Sequence, residues 1–239
     1  DYRTIYDTIF DETMENSNNI WYLTFMLTMI AGFCDTLTFV AADTIFSAHV
    51  TGNFIVFAYQ IVKGSDLNAW IKLFSFPVFI AAVMIGGWMA SKSKYKYKLL
   101  LWEGIILISS GLIAYILNTL EIFTSGSVYF VAMLIVFAMG LQNTFGKRFS
   151  KETFGPTTMM TGNVTQASLD IQTLILNKFK DSATLLNLKK QLTTIIGFLI
   201  GCCLGALSGK NIGLVSVVVP GVAMVICYLK NRNVGTLIT

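Results

Sequence analysis

Of 239 residues 54% are hydrophobic and only 13% are charged, whereas a soluble domain carries about 25% charged residues. That excludes a water-soluble fold and makes the chain an integral membrane protein. The 18 Phe and 3 Pro fit membrane helices rather than an outer-membrane barrel, whose strands alternate apolar and polar residues. Nucleic acid is not an expected partner.

Residues 1–18 carry Asp1, Asp7, Asp11, Glu12 and Glu15 against Arg3 alone. They read as an acidic arm, soluble or lying at the interface, with a weak surface helix on Tyr2, Ile5, Ile9 and Phe10. No separate signal peptide is expected, because the first apolar run is of full length. Residues 19–239 form a single transmembrane domain. Its first span, 20–42, opens on Trp21 and Tyr22 as interfacial anchors and ends where Asp43 and Thr44 break the pattern. Residues 51–63 are apolar but too short against the roughly 20 residues a bilayer crossing needs.

Full spans follow at 71–91, 99–118 and 127–146, the last two joined by a tight turn around Glu121. Segment 157–177 is long enough to span but holds Thr165, Gln166, Ser168, Asp170, Gln172 and Thr173. After a basic stretch at 178–190, spans at 191–208 and 212–229 are separated by a turn at Gly209-Lys210-Asn211. All four cysteines, Cys34, Cys202, Cys203 and Cys227, lie in apolar runs without zinc-type spacing, and read as packing residues.

Both odd segments contain Thr-Gly-Asn, at Thr51-Gly52-Asn53 and at Thr161-Gly162-Asn163. Each follows a polar-marked helix at nearly the same distance, Gly32-Phe33-Cys34-Asp35 upstream of the first and Gly140-Leu141-Gln142-Asn143 upstream of the second. Downstream, Gly87–Lys92 is echoed by Gly205–Lys210. Three anchors in one order indicate a duplication, with repeat one over 20–118 and repeat two over 127–229.

Charge separates two topologies, since Lys and Arg concentrate in the cytoplasm. If every apolar segment crosses, the 17 basic residues divide almost evenly between the two sides. If both Thr-Gly-Asn segments enter and leave on one side, only Lys63, Lys72 and Lys210 remain outside. The fold class is therefore all-α, with six transmembrane helices plus two membrane-inserted half-helices in two inverted-topology repeats, and both termini are cytoplasmic. Inverted repeats with broken helices are the architecture of many transporters.

The pattern Gly-Phe-x-Asp, Thr-Gly-Asn, Gly-Leu-Gln-Asn and Thr157-Thr158-x-x-Thr161-Gly162 resembles the YoaK-like family of bacterial membrane proteins (the domain-of-unknown-function 1275 type). The resemblance covers the chain from about residue 20 onward and leaves out the acidic arm. It implies a multi-pass protein of the bacterial inner membrane and supplies no substrate.

A helix start leaves backbone N–H groups unpaired and carries partial positive charge. Thr51 and Thr161 suit N-cap positions, Gly52 and Gly162 leave the backbone approachable, and Asn53 and Asn163 add donors and acceptors. Two such starts converging from opposite sides would suit an anion or a small polar solute. The bland reading is that the glycines only let helices cross closely.

Gln142, Asn143 and Thr158 complete the expected substrate set. Asp35, His49 and Asp170 are the candidate ion-coupling residues, because an ionisable group inside a span is costly unless it has a task and a histidine titrates near neutral pH. Glu103 reads as a residue snorkelling toward, or paired with, a nearby lysine, and Lys92–Lys98 as an orientation signal touching lipid phosphates.

The function expected is transport of a small polar or anionic solute, with Asp35 coupling it to an ion gradient. An uncoupled channel and a non-transporting scaffold protein are the alternatives. An enzyme is not expected, since one histidine and no His/Asp/Glu cluster at ligand spacing provide no catalytic constellation. No cofactor or metal is expected either. The partners are the solute and the lipid bilayer, and a homo-oligomer is compatible with this reading.

Overall fold

A computed structural model describes residues 2–64 and 69–232, with side chains from Asn18 onward. Among these residues there are eight α-helices: α1 (Tyr2–Ala41), α2 (Gly52–Lys63), α3 (Ala69–Lys92), α4 (Lys98–Thr119), α5 (Ser125–Arg148), α6 (Thr161–Leu176), α7 (Ser182–Asn211) and α8 (Val218–Asn231). No strand occurs among the described residues. Six stretches are long and apolar enough to cross a membrane, in α1 (Asn18–Ala41), α3, α4, α5, α7 and the segment Gly213–Asn231 that contains α8. The two Thr-Gly-Asn helices, α2 with 12 residues and α6 with 16, are the short ones.

The boundaries differ from the sequence reading in three informative places. The backbone of residues 2–17 continues α1 without a break, so the expected separate arm is helical and collinear with the first span. The stretch 178–190 is not a loop throughout. Asp181 caps α7, its Oδ1 accepting from the backbone N–H of Ala183 at 3.0 Å and Thr184 at 3.2 Å, which draws Lys189 and Lys190 into the helix. The last turn falls after Asn211, at Gly213 with φ 75°, because Gly209 is still helical and packs against Leu37 and Val40.

Glycines set the helix pairings. On α7, Gly197, Gly201 and Gly205 recur every fourth residue and face α1. A Cβ there would lie 2.4 Å from Thr28 Oγ1, 2.0 Å from the Met29 carbonyl oxygen and 2.3 Å from the Phe33 carbonyl oxygen respectively. Gly32 answers from α1, where a Cβ would lie 2.2 Å from the Phe198 carbonyl oxygen. Only small residues allow backbones this close. The α3–α5 contact is built alike, with Gly140 against Ala82 and Phe79. It uses Gly86, whose Cβ would meet Leu141 and Thr144 at 3.1 Å, while Gly87 faces nothing within 4 Å. Gly86, and not the Gly87 of the Gly87–Lys92 stretch, is thus the residue in contact.

Further contacts join α4 to α8, α4 to α5, and α1 to α8. α1 and α5 form the centre, with 67% of the apolar stretch buried in each, against 17% in α3 and 22% in α7.

Polar clusters at the two ends fix helix direction. At one end Asp43, just past α1, accepts from Lys72 near the start of α3 and from Tyr129 Oη near the start of α5, the latter at 3.1 Å. Lys72 is completely buried there. At the other end Glu152, just past α5, accepts from Lys96 Nζ at 2.6 Å and from Tyr97 Oη, next to the start of α4. The burial of Tyr97 and this carboxylate together push its phenol pKa well up. The same end carries Trp21 of α1 and Lys190 of α7 on the ring of Phe154, and Lys230 of α8 over the Tyr22 ring. It follows that α1 and α5 run in opposite directions. The start of α3 thus lies at the end where α1 stops, and the first turns of α7 at the end where α5 stops.

Candidate functional site

Two turns, 42–51 before α2 and 149–160 before α6, fold back into the bundle, and several of the polar candidates lie in or against them. In the first, Asp35 on α1 is 4% exposed. Its Oδ1 accepts from the backbone N–H of Ala48 at 2.7 Å and His49 at 3.1 Å, and its Oδ2 lies 3.1 Å from His49 Nδ1. Asp35 is six residues before the end of α1, so at 1.5 Å per residue the turn has doubled back by about 9 Å. The carboxylate charge is met by protein N–H groups. The hydrogen bond that His49 donates to the Asp35 carboxylate raises the His49 pKa above its usual value, partly opposed by burial. The His49 ring stands edge-on to Phe46 and to Phe198 of α7.

Asn53 closes the turn. It is fully buried; its Oδ1 accepts from Phe46 N–H at 2.8 Å, and its Nδ2 donates to the Phe46 carbonyl and to Ser75 Oγ on α3, both at 2.8 Å. Asn163 does the same in the second turn, its Nδ2 donating to the Pro156 carbonyl at 3.2 Å and to Thr194 Oγ1 on α7 at 2.8 Å. The asparagines are staples that hold each turn to the neighbouring long helix, and their amide nitrogens are committed to protein.

The threonine caps expected from the sequence are not formed. Thr51 holds the N-cap position of α2 without a side-chain bond to the helix, and α6 begins at Thr161 itself, with Met160 as N-cap. Both threonines are exposed, as is Gly162. Gly52 lies under the Phe46 ring, where a Cβ would meet Cδ2 at 3.0 Å. Nor do the two starts converge: α2 packs on α3 and α6 on α7, with no contact between α2 and α6 among the described residues. A turn clamped to a different helix in each half carries its start away from the other.

The second turn encloses an open cavity of about 220 Å³, lined among others by Asn143, Lys147, Ser150, Gly155, Thr157 and Thr158. Asn143 Nδ2 donates to Thr158 Oγ1 at 3.2 Å. Gln142, fully buried behind it, donates to Thr157 Oγ1 at 3.0 Å and to the Leu27 carbonyl of α1 at 2.8 Å. Asn143 and Lys147 also line a shallower groove with Gly87 and Ser91 of α3. Asn143, Thr158 and Gln142 are thus brought together. Asp170 is not with Asp35 and His49: it lies buried on α6, one oxygen accepting from Gln166 at 2.8 Å and the other without a partner.

Two cavity residues escaped the sequence reading, and Glu103 departs from the lysine pairing or snorkelling expected of it. Lys147 and Ser150 had no signal beyond a basic helix end. Glu103 is fully buried, pairs with no lysine among the described residues, and leaves both oxygens without a partner.

A profile described as "Protein of unknown function (DUF1275)" matches residues 23–229. The chain belongs to the DUF1275 family. It is 23% identical over 187 residues to the UPF0700 transmembrane protein YoaK of Bacillus subtilis (strain 168), covering 77% of this chain and 81% of that protein. No solved structure matches the chain. Membership in DUF1275, together with six apolar helices of crossing length, makes this a multi-pass membrane protein.

Proposed function

We propose that this protein is a transporter of a small polar or anionic solute in the bacterial plasma membrane, built as two inverted repeats with α2 and α6 as re-entrant half-helices. The observation that carries the proposal is the cavity behind the second turn. It offers the Asn143 side-chain amide, the Thr157, Thr158 and Ser150 hydroxyls and the Lys147 ammonium in the lining of a 220 Å³ space, a donor-rich set suited to an anion of a few heavy atoms. Asp35 serves as the residue that positions the first turn and its His49, the titratable element on the opposite side.

The repeat reading is supported contact by contact. Gly32 packs on the Phe198 carbonyl as Gly140 packs on that of Phe79. Asn53 binds the residue seven back and Ser75 on α3, as Asn163 binds the residue seven back and Thr194 on α7. α4 and α8 cross at Gly104 and Gly221, each against the other helix's backbone. The opposed directions of α1 and α5 then make the repeats inverted, the arrangement in which one half can rock against the other.

In proteoliposomes, a panel of small inorganic and organic anions should include at least one that crosses faster than in protein-free vesicles. Lys147→Ala should raise its half-saturating concentration roughly tenfold, the worth of one charge-assisted hydrogen bond. Equal leakage for every anion, with and without protein, refutes transport of this class.

The orientation places the lysine-rich face in the cytoplasm. A lone cysteine at Ser182, in a chain whose four native cysteines are replaced, should resist an impermeant thiol reagent in intact cells and react after lysis. Ready labelling from outside overturns the topology.

A further inference from the structure

Glu103 lies five residues into α4, beside the point where Gly104 meets the Gly221 carbonyl of α8. It has zero exposure, and neither carboxyl oxygen has a hydrogen-bond partner. An ionised carboxylate so placed would be uncompensated in a low-dielectric interior. The surroundings supply no counter-charge. α3 between Lys72 and Lys92, α5 between Tyr129 and Lys147, and the 3-10 turn at Gly213–Val217 contain no titratable side chain. The titratable groups near enough to interact with it are Cys34 on α1 and Cys227 on α8, with Tyr22 and Lys230 beyond Cys227. On α4 itself Lys98 is exposed and Tyr97 is engaged with Glu152.

We propose that Glu103 is an exchangeable proton-binding site at the seam between the two halves. Its ligand is a proton and not a metal cation, because a hard cation gathers roughly six oxygen ligands and the neighbouring side chains offer thiols. The site belongs to one half only. By the Gly104–Gly221 correspondence, the position equivalent to Glu103 is Pro220, which is buried and cannot titrate. The α4–α8 crossing is one of the places where the repeats meet, so a rocking motion that opens it admits water to the carboxyl and lets the proton leave or enter. The use of that proton to drive solute movement rests on the transport reading above. Binding of the proton does not.

The test is infrared difference spectroscopy on the full chain in lipid bilayers. At neutral pH the wild type should show the carbonyl stretch of a protonated, weakly hydrogen-bonded carboxylic acid. The band should disappear in Glu103→Gln, and it should shift on transfer to deuterium oxide. If Glu103→Gln does not fold, Glu103→Asp should move the same band and so assign it. Absence of the band at neutral pH overturns the proposal, as does a band that Glu103 variants leave unchanged. A band that never shifts in deuterium oxide makes Glu103 a sealed acid, and the exchangeable site is then refuted even if anion flux is observed. Conversely, the expected band without any flux would leave the proton site standing and remove the transport reading.

Discussion

Replacing Gly201 by leucine should unfold the protein more readily than any other single change at a helix contact, by about 3 kcal/mol or more. The first added atom alone would lie 2.0 Å from the Met29 carbonyl oxygen and 2.9 Å from the Phe33 nitrogen. Both are backbone atoms of α1, so no rotamer change can relieve the overlap and the helices must separate along their whole shared face. Gly197 and Gly205, one turn to either side, would lose their close approach as well. The matched control is Gly87→Ala, where a Cβ meets nothing within 4 Å, and which should stay within about 0.5 kcal/mol of wild type. The readout is the denaturation midpoint in mild detergent. A Gly201→Leu protein with an unchanged midpoint would show that α1 and α7 are not in backbone contact.

The second large effect is expected at Asp35, where alanine and asparagine should separate cleanly. Asp35→Ala leaves the N–H groups of Ala48 and His49 without their acceptor, and an unmet buried donor costs about 1–3 kcal/mol. The two together should remove about 3 kcal/mol and release the turn. Asp35→Asn keeps a carbonyl oxygen for both donors and should hold the turn, while losing the charge that faces His49.

The pH dependence then follows with a definite sign. The His49 pKa is raised above 6.5, first by its hydrogen bond to Asp35. The stabilisation from protonated His49 is fully present below its unfolded value of about 6.5 and is lost as pH rises through the higher folded value. The gap in thermal midpoint between wild type and Asp35→Asn should therefore be wider at pH 6 than at pH 9. A gap that is constant, or that widens with pH, would rule out the His49–Asp35 pair as its origin.

How far the site was legible can be judged from the asparagines. Asn53 and Asn163 stood out because each sits in a repeated Thr-Gly-Asn, and both are buried polar residues at the start of a short helix. Their work, however, is to tie that turn to Ser75 or Thr194, partners from another helix that no local pattern announces. Glu103 shows the opposite failure. Its closeness in sequence to Lys98 suggested a pair, yet a five-residue separation on a helix puts the two on different faces, and Glu103 turns inward toward α8. Lys72 was counted among the loop charges, whereas the α1, α3 and α5 ends converge and enclose it with Asp43 and Tyr129.

Taken by itself, the sequence determined the class, the six helices of crossing length and the two short ones. These follow from apolar run length and from the spacing of a few polar residues, which are properties of the chain read along one dimension. Only the tertiary structure decided which glycines touch, that α2 and α6 stay apart, that Asp35 is satisfied by backbone N–H groups, and that Glu103 is left without a partner. Each of these depends on the rotation of one helix against another. A bilayer imposes length and apolarity on its helices, but leaves their facing sides to be chosen by close packing and by the pairing of buried polar groups.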